Sequence, residues 1–154
     1  NSSTTTATVL GMNRTSATGG GMTISQSGHN FLMYVFVNIE GYSKYDMYVG
    51  NNSNDGTFVY TGFKPAFILI KDYDSANSWR TYDAINDPVN PADHWMVLDG
   101  SAVAINTSDT TSDVDFLSNG FKIRGDSNSI NGTDGNKYVY MAWGSNPFKY
   151  GPAN

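Results

Sequence analysis

The sequence lacks cysteine altogether and is poor in charge and in helix-forming residues. Without cysteine, neither a disulfide framework nor a thiolate metal site can form, and cysteine usage gives no indication of the redox compartment. Charged residues make up 15% of the chain, compared with about 25% in a typical soluble domain. Glu40 is the single glutamate, and leucine, lysine and alanine are also scarce. We therefore expect almost no helix.

The chain also lacks basic clusters and long apolar runs. Its 9 Lys and Arg residues are scattered along an acidic sequence of net charge -5, which argues against nucleic-acid binding because phosphate contacts need clustered cations. No apolar run approaches the roughly 18 residues that span a bilayer, and the first residues lack the basic and apolar regions of a signal peptide. We expect no nucleic-acid partner, no membrane insertion and a soluble chain without its own export signal.

The residues that are present are those of strands and turns. Apolar residues make up 39% of the chain and aromatic residues 14%, and short β-branched and aromatic runs recur between turn signals. The length of 154 residues suits one domain. The sequence predicts an all-β antiparallel β-sandwich, jelly-roll or concanavalin-like, with essentially no helix. The predicted strands are 31–37, 45–49, 57–60, 66–71, 79–83, 95–98, 103–106, 114–117, 121–124 and 137–143.

Two local patterns give sharper predictions. Residues 66–70 are apolar at every position, which predicts a central strand that is covered on both faces. Asn119 and Gly120 stand between two short apolar runs, and both residue types tolerate positive φ at low cost. This pair therefore predicts a hairpin with a type I′ turn.

The first part of the chain differs from the rest. Residues 1–28 are rich in Thr, Ser, Gly and Asn, and their short apolar patches cannot form a core alone. A weak internal repeat is visible, because 31–36 leading into 41–45 parallels 138–143 leading into 146–150. We therefore predict an extended N-terminal arm, or the end of a preceding repeat unit, over residues 1–40, and the β-sandwich domain over residues 41–154.

Five segments in a fixed order carry a family resemblance. They are Gly-Tyr-Ser-Lys-Tyr at 41–45, Gly-Thr-Phe-Val-Tyr-Thr-Gly-Phe-Lys-Pro-Ala at 56–66, Trp-Arg-Thr-Tyr-Asp at 79–83, Phe-Leu-Ser-Asn-Gly-Phe-Lys-Ile-Arg at 116–124, and the aromatic segment 138–149. The set resembles the repeated β-sandwich domains in tail-fibre-like structural proteins of tailed bacteriophages, particularly marine and cyanobacterial ones. The resemblance covers residues 41–149, and residues 7–40 more loosely.

This resemblance implies a component of the virion surface, on a tail fibre or on the capsid exterior. The resemblance does not say what is bound. We expect other virion structural proteins and, from the Tyr- and Asn-rich loops, host-surface glycans as partners, and fibres of this kind are usually homo-oligomers, which suggests a trimer. The resemblance transfers no catalytic or ligand-binding residue. It favours a tail-fibre or appendage domain that contributes to host attachment, with a capsid decoration or fibre-shaft module of purely structural contacts as the alternative.

Candidate ligand-binding residues come from the aromatic and acidic stretch around residues 72–95. Aromatic faces stack on sugar rings while Asp and Asn accept hydrogen bonds from hydroxyls, so a glycan site can be built from such residues. Trp79 and Tyr82 fall in a predicted strand and are expected in the core. Tyr73, His94 and Trp95 are the predicted surface residues of a ligand site.

Metal binding and catalysis are not expected. Asp72 with Asp74, and the group Asp126, Asn128, Asn131 and Asp134, offer oxygen ligands for calcium, but turn capping explains them equally well. His29 and His94 are too few and too isolated for zinc. No nucleophile-elbow, Walker or zinc-protease motif occurs, so we predict no cofactor and no enzyme activity. A polysaccharide hydrolase built on paired Asp carboxylates is the remaining rival.

Overall fold

The structure is a computed structural model that describes residues 34–100, 105–106 and 110–145. The chain divides into two compact units, Asn1–Val35 and Phe36–Asn154, and every element below belongs to the second. The predicted arm lies largely outside the described residues. The strands are β1 Ser43–Val49, β2 Phe58–Tyr60, β3 Pro65–Asp72, β4 Arg80–Asp83, β5 His94–Val97, β6 Ile105–Asn106, β7 Val114–Leu117, β8 Gly120–Ile123 and β9 Lys137–Gly144.

The strands form two antiparallel sheets, which confirms the predicted all-β sandwich. The larger sheet has the order β1-β9-β3-β4-β5-β6, and the smaller has the order β2-β8-β7. A single 3-10 turn at Thr110–Ser112 is the helical element within the described ranges. Within the same ranges, no helix is long and apolar enough to cross a lipid bilayer.

The core lies where the inward faces of the two sheets meet. Tyr82 and Tyr48 illustrate how the buried tyrosines satisfy their hydroxyls, which donate to the carbonyls of Ser112 and Ile130 at 2.7 and 2.6 Å. Burial without such partners would cost each hydroxyl a few kcal/mol, on the order of 1–3. The buried side chains come from both sheets: Tyr48, Ile68, Ile70, Tyr82, Tyr138 and Tyr140 from the larger, and Val59, Val114, Phe116, Phe121 and Ile123 from the smaller.

Strand β3 occupies the centre of the larger sheet between β9 and β4, as its apolar sequence predicts. Ile68 and Ile70 point inward and are fully buried. Phe67 and Leu69 point outward and are only half-buried. The predicted central position is therefore confirmed, while complete burial is restricted to the inward face.

The hairpin between β7 and β8 forms as predicted, but its turn does not. Leu117 pairs with Gly120, so Ser118 and Asn119 make the two-residue loop, and neither Asn119 nor Gly120 has the positive φ of a type I′ turn. The type I′ prediction is wrong. A Cβ on Gly120 would lie 2.1 Å from the carbonyl oxygen of Val59, so glycine is required here because β2 approaches closely.

The predicted strand at 31–37 is also corrected over its described part. Residues 34–37 form no strand, and residues 31–33 and 103–104 lie outside the described ranges, as does the end of the closing segment beyond 145. The chain at 37–43 makes a tight turn in which Ser43 Oγ donates to the carbonyl of Val37. A single backbone bridge between Ile39 and Ser43 and nearby side-chain contacts thus stand in place of a longer strand ladder on this side of β1.

The two longest edge strands are closed by short side chains. Along β1, Asn38 Oδ1 accepts the Tyr45 N–H at 2.7 Å, and Thr57 Oγ1 donates to the Val49 carbonyl at 2.6 Å. Along β7, the Asn90 amide both donates to and accepts from the backbone of Phe116, each at 2.9 Å. Such contacts occupy the backbone groups that would otherwise pair with another strand.

Candidate functional site

A cleft of about 340 Å³ opens at the end of the β4–β5 pair. Strand β4 ends at Asp83, whose Oδ1 accepts the N–H groups of Ile85 and Asn86 at 2.8 and 3.4 Å. This Asp-centred turn directs the chain away from the sheet and leaves the ends of β4 and β5 accessible. The lining residues are Thr81, Asp83, Asn86, His94, Trp95 and Met96.

His94 lies between two carboxylates at the rim of the cleft. Its Nδ1 is 3.1 Å from Asp87 Oδ2 and 2.8 Å from Asp93 Oδ1. The hydrogen bond to Asp87 is the main reason why the pKa of His94 lies above its usual value, with the charges of Asp87 and Asp93 acting in the same direction. The imidazolium form is therefore more stable here than in an isolated histidine.

Asp87 holds the loop before β5 in place. Its Oδ2 accepts hydrogen bonds from the backbone N–H groups of Asp93 and His94 at 2.8 and 3.0 Å. The same oxygen is hydrogen-bonded to the ring nitrogen Nδ1 of His94. Burial raises the pKa of Asp87, but hydrogen bonds from His94 and Asp93 and the charge of His94 outweigh burial, so the pKa lies below the usual value. We call Asp87, Asp93 and His94 the loop clamp.

The loop clamp also meets a simple geometric criterion for a metal site. Each of its three side chains offers one ligand atom, and these atoms all lie within 4.8 Å of one another. The same atoms are already engaged, since one Asp87 oxygen accepts three hydrogen bonds and His94 Nδ1 contacts both carboxylates. Hydrogen bonding within the loop therefore accounts for the arrangement.

The prediction that Trp95 is a surface residue is wrong. Trp95 pairs with Tyr82, points to the inward face and is only 8% exposed. The guanidinium carbon of Arg80 lies 3.6 Å from the centre of its ring, and burial lowers the pKa of Arg80. This cation–π contact covers one face of the indole, so Trp95 is a core residue and does not present a free stacking face.

Tyr73 is exposed, as predicted, but lies far from the cleft. It follows β3 at the end where Asp72 pairs with Tyr138, whereas the cleft lies at the end where Phe67 pairs with Asp83. Six residues of strand separate these ends by about 20 Å. The structure thus brings His94 and Trp95 together and leaves Tyr73 apart. Tyr82 is in the core as predicted, while Trp79 precedes β4 and is only half-buried.

The candidate calcium ligands hold turns. Asp72 is 2% exposed, and its oxygens accept from the N–H groups of Asp74 and Ser75 and from the Asn77 side chain. Asn131 is fully buried and is engaged through both ends of its amide. Its oxygen accepts the Asn51 N–H, and its nitrogen donates to Asn51, Ser53 and Gly125. The turn-capping interpretation accounts for both residues.

Comparison with known families adds one assignment. Residues 1–147 match a family described as a domain of unknown function, DUF7483. The chain belongs to the DUF7483 family. No curated protein and no solved structure matches it. The DUF7483 match includes every residue of the cleft and of the loop clamp, and the family description assigns no role to any of them.

Several cleft residues of this DUF7483 member were missed by the sequence reasoning. Thr81, Asn86 and Met96 carry no motif, and they meet only because β4 pairs with β5 and the chain turns after Asp83. A signal was present in the acidic residues that flank the loop at 87 and 93. Together the lining offers a carboxylate, an amide, an imidazole and a thioether, which suits a small ligand rich in hydroxyl groups. The Thr81 hydroxyl is buried and donates to the Met96 carbonyl.

Proposed function

We propose that this chain is a non-catalytic structural domain of a phage tail fibre or related appendage that contributes to attachment to host-surface glycans. The observation that carries the proposal is the cleft beside His94, because it combines hydrogen-bonding side chains with the partly exposed thioether side chain of Met96. A volume of about 340 Å³ is at the small end of ligand pockets, roughly 300–1,000 Å³, and fits a ligand of monosaccharide or disaccharide size.

The cleft chemistry matches sugar hydroxyls, which both donate and accept hydrogen bonds. Asp83 Oδ1 is committed to the turn, and its second oxygen and the Asn86 amide provide an acceptor and a donor–acceptor pair. Met96, which is 43% exposed, supplies polarizable apolar surface. A single site of this kind gives millimolar affinity, about -4 kcal/mol, and becomes effective when several copies share one particle.

The virion assignment rests on the ordered sequence segments that resemble tail-fibre β-sandwich domains. The all-β fold is compatible with it, since such domains are sandwiches. In this role the partners are other virion proteins and host glycans, and the localisation is the exterior of the particle.

The direct test measures binding of the domain to host cells and to glycans isolated from their surface. Asn86→Ala should lower adhesion at least several-fold, while Tyr73→Ala, at an exposed position remote from the cleft, serves as the matched control. Equal adhesion of the two variants, or no adhesion by an assembled multivalent form, would refute the attachment role. Gold-labelled antibody on intact virions tests the localisation separately.

A second candidate function is a capsid decoration or fibre-shaft module whose contacts are structural. The outward face of the larger sheet favours it, because this face carries exposed apolar residues such as Met47 and Val49 that are suited to subunit contacts. Antibody labelling of the capsid lattice, without labelling of the tail, would support this candidate over the first.

A further inference from the structure

The outward face of the larger sheet is apolar, in contrast to most sandwiches, whose outer faces are polar. Met47 and Val49 are 50% and 52% exposed, and Phe67 and Tyr45 contact the Trp143 ring with centroid distances of 5.7 and 5.6 Å. The Phe36 ring of the same chain covers part of this end, with its centroid 5.1 Å from that of Tyr45 and 6.3 Å from that of Trp143. The strand registers place eight outward side chains side by side, and none is charged. This apolar face consists of Tyr45, Met47, Val49, Phe67, Leu69, Val139, Met141 and Trp143.

Charged side chains stand at the two ends of the apolar face, with opposite signs. Lys71 and Lys137 lie at the end where Lys71 pairs with Val139, and Asp83 lies at the other end, opposite Phe67. Among the described residues, none of these three side chains takes part in an ion pair, although Lys71 Nζ donates to the carbonyls of Asp72 and Ser75 at 2.6 and 3.0 Å. The face therefore has a basic end, a neutral centre and an acidic end.

We propose that a second copy of this chain packs against the apolar face, with the strands of the two larger sheets antiparallel. A two-fold axis in the plane of the interface and across the strands places the basic end of each copy over the acidic end of the other. The lysines of one copy then approach Asp83 of the other, and the neutral centres pack together. Because Asp83 also lines the cleft, this dimer and a bound sugar would compete for its carboxylate. Chains of net charge -5 repel one another, and this surface lets two copies meet with complementary charge.

The sheet edges favour packing through the face. Backbone groups along β1 and β7 are occupied by Asn38, Thr57 and Asn90, so continuation of either sheet from these strands into another copy would break existing hydrogen bonds. Packing of sheet on sheet needs no free backbone group. Methionines at the centre, Met47 and Met141, adapt their shape to an opposing sheet about 10 Å away.

The size of the face sets the expected strength. Three strands, β1, β9 and β3, and about six residues along each give a patch of about 15 by 20 Å. This is smaller than the roughly 800 Å² per partner of a standard interface, so we expect a dissociation constant on the order of 10–100 μM. Such a dimer forms at high concentration in solution or when copies are held together on one assembly.

Sedimentation velocity of the full chain from about 5 to 500 μM, a range centred on the expected dissociation constant, tests the proposal. The wild type should shift from monomer to dimer. Met47→Asp should raise the dissociation constant at least tenfold, while Ile85→Asp, at a position 82% exposed and away from the face, should leave it unchanged. Circular dichroism verifies that both variants remain folded.

The same experiment tests the charge arrangement with two lysine variants. Lys71→Glu places like charges opposite Asp83 of the second copy and should weaken the dimer several-fold, while Lys64→Glu, in the exposed loop before β3, should not. A wild type that stays monomeric at the highest concentration, or that forms trimers, overturns the proposal. So do equal effects of Met47→Asp and Ile85→Asp, or of the two lysine variants. A monomer in which Met47 resists peroxide oxidation would indicate that the face is covered by other residues of the same chain.

Discussion

Two groups of Asp and Asn residues lie at opposite ends of the larger sheet, and they differ in how completely their side chains are used. At one end, Asp72 and Asn131 are buried and direct their polar atoms to partners within the chain. At the other end, Asp83 and Asn86 line an open cleft. Residues of the same type therefore stabilise the fold where their hydrogen bonds are complete, and they are available to a ligand where their hydrogen bonds are incomplete.

The largest expected effect is at Asn131. Asn131→Ala removes the oxygen that accepts the Asn51 N–H and the nitrogen that donates to Asn51, Ser53 and Gly125. The Asn51 N–H and the Ser53 and Gly125 carbonyls then lose these hydrogen bonds. We expect the free energy of unfolding to fall by about 3–5 kcal/mol. Urea denaturation measures the change, with Asn86→Ala as the matched control. A fall in the free energy of unfolding below about 1 kcal/mol would contradict the expectation that the buried hydrogen bonds at this end of the sheet stabilise the fold.

A smaller loss is expected at Asp72. Asp72→Ala deprives the N–H groups of Asp74 and Ser75 of their acceptor, and we expect a cost of about 2 kcal/mol, or a fall in the melting temperature of several degrees. Thermal unfolding provides the measurement, and Asp134→Ala, at an exposed turn position, is the control. If the two variants have the same melting temperature, Asp72 does not stabilise the fold by capping the turn.

The stabilising contribution of the loop clamp beside the cleft should depend on pH. The raised pKa of His94 means that its stabilising contribution is complete below the unfolded value of about 6.5 and disappears as the pH rises through the folded value. The lowered pKa of Asp87 means that its contribution is present above about pH 4 and disappears as the pH falls through the folded value. The clamp is therefore strongest between these limits, and its release at higher pH should increase the mobility of the loop.

NMR titration of the histidine rings checks this expectation. His94 should titrate above 6.5 in the wild type, and Asp87→Asn should bring its pKa down toward the ordinary value, because the hydrogen bond to the Asp87 carboxylate and the charge of that carboxylate raise it. An unchanged His94 pKa in this variant would mean that Asp93 alone sets the titration.

The smallest effect on stability is expected inside the cleft. Asn86 is exposed, so Asn86→Ala should change the free energy of unfolding by no more than about 0.5 kcal/mol, while adhesion to host glycans decreases. Denaturation and binding measured on one preparation separate the two effects. A variant that loses stability and binding together would place Asn86 with the structural group.

The sequence contains enough information for the strands and for the central place of β3, because strand periodicity and apolar runs are local properties. It contains much less about which face a side chain occupies. Trp95 is buried because β5 pairs with β4 in the register that sets it opposite Tyr82, and no local pattern encodes that register. Asn131 resembles any turn asparagine in sequence, yet its partner Asn51 lies 80 residues away.

The closed edges described for β1 and β7 have a consequence for how the chain behaves when it is crowded. Open strand edges are templates for amyloid-like addition of further chains, and the protection here combines single hydrogen-bonding side chains with one backbone bridge on each strand, Ile39 to Ser43 and Ala92 to Val114. At β7 one asparagine amide, Asn90, occupies both backbone groups of Phe116. Loss of that one side chain would free two backbone groups beside the Ala92 bridge, so part of the protection of this edge against added strands depends on a residue that contributes little to the core.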